Sequence, residues 1–198
     1  MSGVAWTGAL DRREAVRALL AARGPALVVS GLGTPSYDVF AAGDHDANMY
    51  LWGAMGGAAM VGLGLALAQP RRPVVVVTGD GEMLMGLGAL ATIAVKKPGN
   101  LTIVVLDNGH YGETGHQASH TGLGLRLHRI AAAAGFDAVA LADLAAIAAW
   151  RPALQALDGG PRFATLAISA ASPPRALPLR DGVHLKNRFR AHLGLPAD

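Results

Sequence analysis

The chain has 198 residues, 52% of them hydrophobic and 16% charged, with a formal net charge of +3. It contains no cysteine, which excludes disulfides, thiolate metal sites, Cys-ligated iron–sulfur clusters and a cysteine nucleophile. Only 5% is aromatic, and Lys and Arg are dispersed apart from a modest concentration over residues 175–190, so a nucleic-acid surface is not expected.

The opening stretch MSGVAWTGALDRREAV lacks a basic start followed by an apolar run, so no secretory signal is read there and a cytoplasmic location is expected. Residues 11–23 carry acids near their start, apolar residues at helical spacing and Gly24 as a stop, the pattern of a helix. Residues 26–30 form a short apolar strand that runs into the Gly-rich turn GLGTP. A second short apolar run covers 48–52, and 54–69 reads as a helix rich in small residues. The uncharged stretch 47–70 is long enough to cross a bilayer, but it leads directly into a β-rich segment, so a buried helix is expected and no membrane contact. Residues 73–78 (PVVVVT) are the strongest strand in the chain; 82–96 follow as a helix and 101–106 (LTIVVL) as another buried strand. Helix is expected again over 123–134 and 144–157, with strands at 136–141 and 163–169. The Pro-rich SPPRALPLRDG leads to a terminal helix around 183–193.

Strands apolar on both faces and separated by helices imply an α/β fold, a three-layer α/β/α sandwich around a mostly parallel sheet. Residues 1–172 are expected to form one domain and 173–198 a Pro-rich linker with a helix packed on that domain or on a partner. In such sheets ligands sit at the carboxyl ends of the strands. Four of those ends carry polar or glycine-rich turns: SGLGTPS, WGAMGG, TGDGE and LDNGHYGETG.

In TGDGE, Gly79 and Gly81 permit close backbone approach, the amides of Gly81 and Glu82 open a helix where a phosphate can bind, and Asp80 offers a hard oxygen suited to Mg²⁺ or Ca²⁺. Asn108 lies one helix and one strand beyond Asp80, and a right-handed crossover brings both strand ends together. The pair then faces one ion, with phosphate oxygens and water completing the octahedron that Mg²⁺ requires.

The paired turns resemble the fingerprint of thiamine-diphosphate-dependent enzymes, and the resemblance extends over most of the chain. It implies the thiamine-diphosphate-binding fold, specifically the domain that holds the diphosphate and Mg²⁺. Asp80 and Asn108 match the side-chain Mg²⁺ ligands, and His110 matches the position whose backbone carbonyl is the third. Asp107 stands where the family usually has Asn, one residue before the ligand. Gly31, Gly33 and Thr34 match the loop that contacts the diphosphate, together with Gly79, Gly81, Glu82, Tyr111 and Gly112 around the metal turns. Gly53 matches a carbonyl that accepts from the aminopyrimidine. Met55 matches the wedge that bends the cofactor, a role a polarisable thioether suits; a core methionine is the other reading. His110, His116 and Glu113, in the loop leaving the metal turn, are the candidate catalytic residues. For His116 and His120 a solvated loop and an i, i+4 zinc pair are the alternatives, although Gly112, Gly115 and Gly122 argue against a helix there.

Complete enzymes of this family activate the aminopyrimidine with a Glu from a second, similar domain, for which 198 residues leave no room. The resemblance therefore implies half a site, completed by a separate α subunit carrying the pyrimidine-binding domain and the catalytic Glu. Within the family, YLWGAMGGAAMVGLGLALA, GDGEMLMGLGALATIA, NLTIVVLDNGHYGETGHQ and RDGVHLKNRFRAHLG are most similar to β subunits of sulfopyruvate decarboxylases and to phosphonopyruvate decarboxylases. That implies a decarboxylase acting on a small anionic 2-oxoacid and releasing an aldehyde and CO₂. The β subunits of 2-oxoacid:ferredoxin oxidoreductases share the fingerprint but carry cluster cysteines, which this chain lacks. The alternatives are a regulatory thiamine diphosphate or nucleotide module without turnover, or the β subunit of another lyase or carboligase.

Overall fold

A computed structural model describes residues 7–196. Helix α1 (Arg12–Leu20) starts where the Asp11 side chain accepts from the amides of Arg13 and Glu14, and it buries Ala15, Val16 and Leu19. Strand β1 (Leu27–Ser30) leads into α2 (Thr34–Ala41), then β2 (Asn48–Tyr50), α3 (Ala58–Ala68) and β3 (Val74–Gly79). Two short helices follow, α4 (Asp80–Met85) and α5 (Ala89–Lys96), before β4 (Leu101–Asp107). A small hairpin, β5 (His110–Tyr111) and β6 (Gln117–Ala118), precedes α6 (Leu127–Ala133), β7 (Asp137–Leu141) and α7 (Leu144–Trp150). Strand β8 (Arg162–Ala167) and α8 (Gly182–His192) complete the order.

Six strands form one parallel sheet in the order β2-β1-β3-β4-β8-β7. Every residue of β4 is buried, as expected of a central strand covered on both faces. Alternate side chains of the same strands feed two cores. On one face Val74, Val76, Ile103 and Phe163 pack with residues of α3, α5 and α6. On the other, Val75, Val77, Val104 and Leu166 pack with residues of α1, α2 and α7. Each fully buried Val, Leu or Phe contributes about 1.5–3 kcal/mol of transfer free energy, which makes these faces the main stabilising term. The sequence-derived fold class is thus the observed one.

Helix α8 covers the β2 edge. Leu185 and Phe189 are buried, and Arg188 pairs with Asp44 at 2.8 Å and donates to the Asn48 carbonyl at 3.2 Å. Trp52 Nε1 donates to the Leu179 carbonyl at 3.1 Å, tying the extended segment before α8 to the sheet.

Several element boundaries differ from the sequence reading, each for a local reason. The single helix expected over 82–96 is two, broken at residues 86–88. A Cβ on Gly86 would stand 2.1 Å from the Gly56 carbonyl oxygen, so the loop before α3 presses on the helix there. The helix expected from residue 54 starts at Ala58, because Ala54 (φ 57°) and Gly56 (φ 93°) occupy the left-handed region. The helix expected from 123 starts at Leu127, after Gly124 at φ 109°. The helix expected to run to 157 ends at Trp150 and tightens into a 3-10 turn (Arg151–Gln155), since Pro152 has no amide to continue the ladder. Helix α2 went unread within the GLGTP turn, although Thr34-Pro35 is a reasonable start signal.

Candidate active site

Parallel pairing sets the site. Ser30 is in register with Val77, and Gly79 with Leu106, so the carboxyl ends of β1, β3 and β4 lie side by side. Asp80 follows Gly79 directly and Asn108 follows β4, which brings the two to neighbouring strand ends. Both line one cavity of about 390 Å³.

Although both belong to turns, Asp80 and Asn108 are buried, at 2% and 8% exposure. The reason is the hairpin β5–β6, which folds the following segment back over the strand ends. Ser119 donates its hydroxyl to Asp80 Oδ2 at 2.5 Å. The Thr121 hydroxyl lies 3.1 Å from the same oxygen and 2.7 Å from Asp107 Oδ1, so one proton serves two carboxylates. Burial pushes the Asp80 pKa up, and the Ser119 and Thr121 hydroxyls and the Asn108 amide oppose that rise. Asp107, 6% exposed, is pushed up to about 6 by burial and then by the charge of Asp80. No sequence pattern singled out Ser119 or Thr121; only the return of the chain brings them to Asp80.

The turn around Asn108 is closed locally. Its Oδ1 accepts from the His110 amide at 3.0 Å, and Gly109 takes φ 70°. His110 Nδ1 lies 2.8 Å from the Asn108 carbonyl oxygen, which makes that nitrogen the protonated one. The His110 ring stacks on His116 with centroids 4.5 Å apart, and Tyr111 Oη lies 3.0 Å from His120 Nδ1. His116 and His120 therefore have separate partners on a hairpin instead of sharing a helix face. Among the described residues no three His, Cys, Asp or Glu side chains converge on a common point.

After β1, Ser36 Oγ donates to the Gly31 carbonyl at 2.7 Å and lies 2.8 Å from Ser30 Oγ, closing the turn that begins α2. A Cβ on Gly31 would stand 1.7 Å from Glu82 Oε2. Glu82, 3% exposed, accepts from the Thr78 hydroxyl at 2.8 Å. Burial raises its pKa against the pull of Thr78 and of the Ala58, Gly56 and Leu32 amides. Its carboxylate thus ties the loop after β1 and the turn into α3 to the end of β3.

Of the expected cofactor residues, Thr34, Met55, Gly79, Asp80, Gly81, Glu82, Asn108, Tyr111 and Gly112 line the cavity. Gly31, Gly33 and Gly53 do not; Gly31 backs Glu82, and a Cβ on Gly33 would stand 2.1 Å from Glu113 Oε1. Of the expected catalytic residues, His110 and Glu113 line it and His116 does not. Arg12, Leu32, Pro35, Met85, Leu106 and Thr114 also line the cavity and were not picked out from the sequence.

This donor set fits a hard divalent cation shared with phosphate. A buried carboxylate and a carboxamide meet at adjacent strand ends beside a cavity of ligand size, without thiolate. Among the described residues no helix is long and apolar enough to cross a membrane.

Comparison with known proteins bears on the same residues. Residues 36–160 match the model of the thiamine pyrophosphate enzyme family, C-terminal TPP binding domain. The chain is 42% identical over 134 residues to sulfopyruvate decarboxylase subunit beta of Methanothermobacter thermautotrophicus, a match covering 68% of this chain and 71% of that one. It is 42% identical over 180 residues to phosphonopyruvate decarboxylase of Streptomyces viridochromogenes, covering 86% of this chain but only 43% of that protein. Among solved structures, the thiamine diphosphate-dependent 4-hydroxybenzoylformate decarboxylase of Rhodococcus jostii RHA1 superposes with a TM-score of 0.68 at 23% identity. That superposition covers 87% of this chain and 35% of the other, and it speaks for the fold alone.

Proposed function

The chain belongs to the thiamine pyrophosphate enzymes through their C-terminal TPP-binding domain, and on that premise we propose that it is the diphosphate-binding β subunit of a Mg²⁺-dependent 2-oxoacid decarboxylase. The proposed reaction converts a small anionic 2-oxoacid of the sulfopyruvate or phosphonopyruvate type to an aldehyde and CO₂. The observation that carries this reading is the meeting of Asp80 and Asn108 at adjacent strand ends, on the wall of the cavity that Met55 and Thr34 also line. The names of the relatives support the substrate class and the division into subunits.

Thiamine diphosphate supplies an electron sink for the electrons released when a 2-oxoacid loses CO₂. The chain's own share is binding, orientation and charge. In this reading Asp80, Asn108 and the His110 carbonyl would hold Mg²⁺. Ser119 and Thr121 fix the Asp80 carboxylate by hydrogen bonding, which would present it to the ion with little reorganisation. Thr34 and the backbone of Gly79, Gly81 and Gly112 would contribute to the diphosphate pocket, with Gly31 and Gly33 behind its wall against Glu82 and Glu113, and Tyr111 flanking it. Met55, on the cavity wall, would support the cofactor's rings, and the Gly53 carbonyl, outside the lining, would be its acceptor for the aminopyrimidine. Glu113 and His110 line the cavity where a proton has to be delivered to the product, and His116 supports the His110 ring by stacking.

A separate α subunit brings the pyrimidine-binding domain and the catalytic Glu. Helix α3 leads away from the Met55 loop and leaves Met60, Val61 and Leu67 exposed, which supports a partner seated beside the cavity. Residues 1–172 then act as the cofactor domain and 173–198 as its strap and terminal helix, in a cytoplasmic hetero-oligomer.

The test is reconstitution with the product of an adjacent reading frame that encodes a complementary α/β domain. The chain alone is expected to bind Mg²⁺ and thiamine diphosphate without releasing CO₂ from 3-sulfopyruvate or 3-phosphonopyruvate, and the pair to release it. A lone monomer decarboxylating at the full rate would refute the shared site. Failure to bind the cofactor in calorimetry would refute the cofactor assignment.

A further inference from the structure

The cavity is short of positive charge for the ligand proposed above. Its wall carries the carboxylates of Asp80, Glu82 and Glu113, and Arg12 is the one Arg or Lys among the described residues that lines it. A diphosphate ester brings roughly two to three negative charges, which Mg²⁺, itself partly neutralised by Asp80, would offset only in part.

Arg12 is placed to supply the rest. It sits in the first turn of α1, 4% exposed. Its Nε donates to Asp38 Oδ2 at 2.6 Å, and Asp38 is itself 1% exposed. Neither terminal amino group of Arg12 makes a hydrogen bond to a described residue. A guanidinium held by one edge in this way presents its remaining N–H groups as a fork, the geometry that takes two phosphate oxygens at once. Asp38 lies one turn along α2 from Thr34 and Pro35, which line the cavity beside Arg12. Pro35 lies next to Gly79, its Cγ 3.8 Å from where a Cβ would stand, and Gly79 precedes Asp80. Arg12 and the Asp80 turn thus border the same cavity, joined through the first turn of α2.

We propose that Arg12 anchors the terminal phosphoryl group of the cofactor, with Asp38 as the residue that positions its guanidinium. This rests on the reading that the cavity takes Mg²⁺ and thiamine diphosphate. It adds a fixed cation from the first helix, outside the glycine-rich turns and the Asp80/Asn108 pair.

The experiment is calorimetry on the full chain with Mg²⁺ and either thiamine diphosphate or inorganic diphosphate, for wild type, Arg12→Lys, Arg12→Gln and Arg12→Gln/Asp38→Asn. Arg12→Gln is expected to weaken both ligands alike, by about tenfold or more, the loss of one charge-assisted hydrogen bond or two. Arg12→Lys keeps the charge without the fork and is expected to lose less. The double variant removes the buried carboxylate that Arg12→Gln leaves with only Arg13 Nε, 3.8 Å from its other oxygen. It is expected to melt within a few degrees of wild type, by circular dichroism, and to show the same binding loss, which separates the effect from unfolding. Wild-type affinity for inorganic diphosphate in Arg12→Gln would overturn the proposal. So would a defect confined to the 2-oxoacid in the reconstituted pair, which would assign Arg12 to the substrate's anionic tail. Wild-type chain that binds neither diphosphate would overturn the proposed function itself, an outcome distinct from wild type binding and the variant binding equally.

Discussion

Two glycines in α3, two residues apart, should respond to alanine in opposite directions. Gly62 is buried against the sheet, where an added Cβ would stand 2.2 Å from Val76 Cγ2 and 3.4 Å from Leu101 Cδ1. Val76 and Leu101 are both wholly buried. Carbon atoms in contact prefer about 3.5–4.0 Å, so the first of these contacts is an overlap of more than 1 Å, roughly, against a β-branched side chain with one favoured rotamer. Overpacking of this severity costs up to about 3 kcal/mol. Replacing glycine in a helix returns about 1 kcal/mol, leaving Gly62→Ala destabilised by about 2 kcal/mol. For a chain of this length that lowers Tm by roughly 4–8 °C. Gly64 has nothing within 4 Å of its added Cβ, so Gly64→Ala keeps only the helical gain and should raise Tm by roughly 2–4 °C. Thermal and urea unfolding followed by far-UV circular dichroism measure both. Adding Val76→Ala to Gly62→Ala should relieve the clash, so the double variant loses less than the two single losses added together. Equal stability of Gly62→Ala and Gly64→Ala would refute the claim that α3 is held to the sheet by this close approach.

At the site, Asp80→Asn should abolish Mg²⁺-dependent binding of thiamine diphosphate, read by calorimetry with and without EDTA, because a neutral amide replaces the one carboxylate proposed as a metal ligand. Asp80→Ala is expected to cost about 1–3 kcal/mol of stability as well, since it removes the carboxylate to which the buried Ser119 hydroxyl donates; unchanged urea midpoints would contradict that. Asp107→Asn should stabilise the metal-free chain at pH 7.5 by about 1–3 kcal/mol, because it removes one of two buried carboxylates that share the Thr121 hydroxyl. A lower urea midpoint for that variant would count against the repulsion. Met55→Ala should lower turnover of the reconstituted pair more than cofactor affinity, as a wedge under the rings and not an anchor would, and unchanged kcat would return Met55 to the core.

The sequence was informative wherever chemistry follows from a short local run. The apolar β-branched segments at Val74–Gly79 and Leu101–Asp107, separated by a helix, were enough to indicate neighbouring parallel strands, because handedness leaves few other arrangements. That adjacency brings Asp80 and Asn108 together, so the heart of the candidate site was readable from two turns. The residues that flank it were not. Ser119 and Thr121 reach Asp80 from 39 and 41 positions away, through a hairpin with only two residues in each strand. Two-residue strands carry no hydrophobic period to read.

Tertiary packing decided the rest. Gly56 packs so closely on Gly86 that a Cβ added to Gly86 would stand 2.1 Å from the Gly56 carbonyl oxygen, and the helix breaks there, at the Gly86-Leu87-Gly88 run. Arg12 looked like an ordinary first-turn residue on a charged helix, and in isolation it would be solvated. Its burial follows from α1 packing beside α2, which sets Asp38 under the guanidinium and turns a surface cation toward the cavity. Periodicity and turn chemistry act over a few residues and are written in the chain. Which polar groups share a buried space depends on how distant elements pack, and that is settled only when the two faces of the sheet are covered.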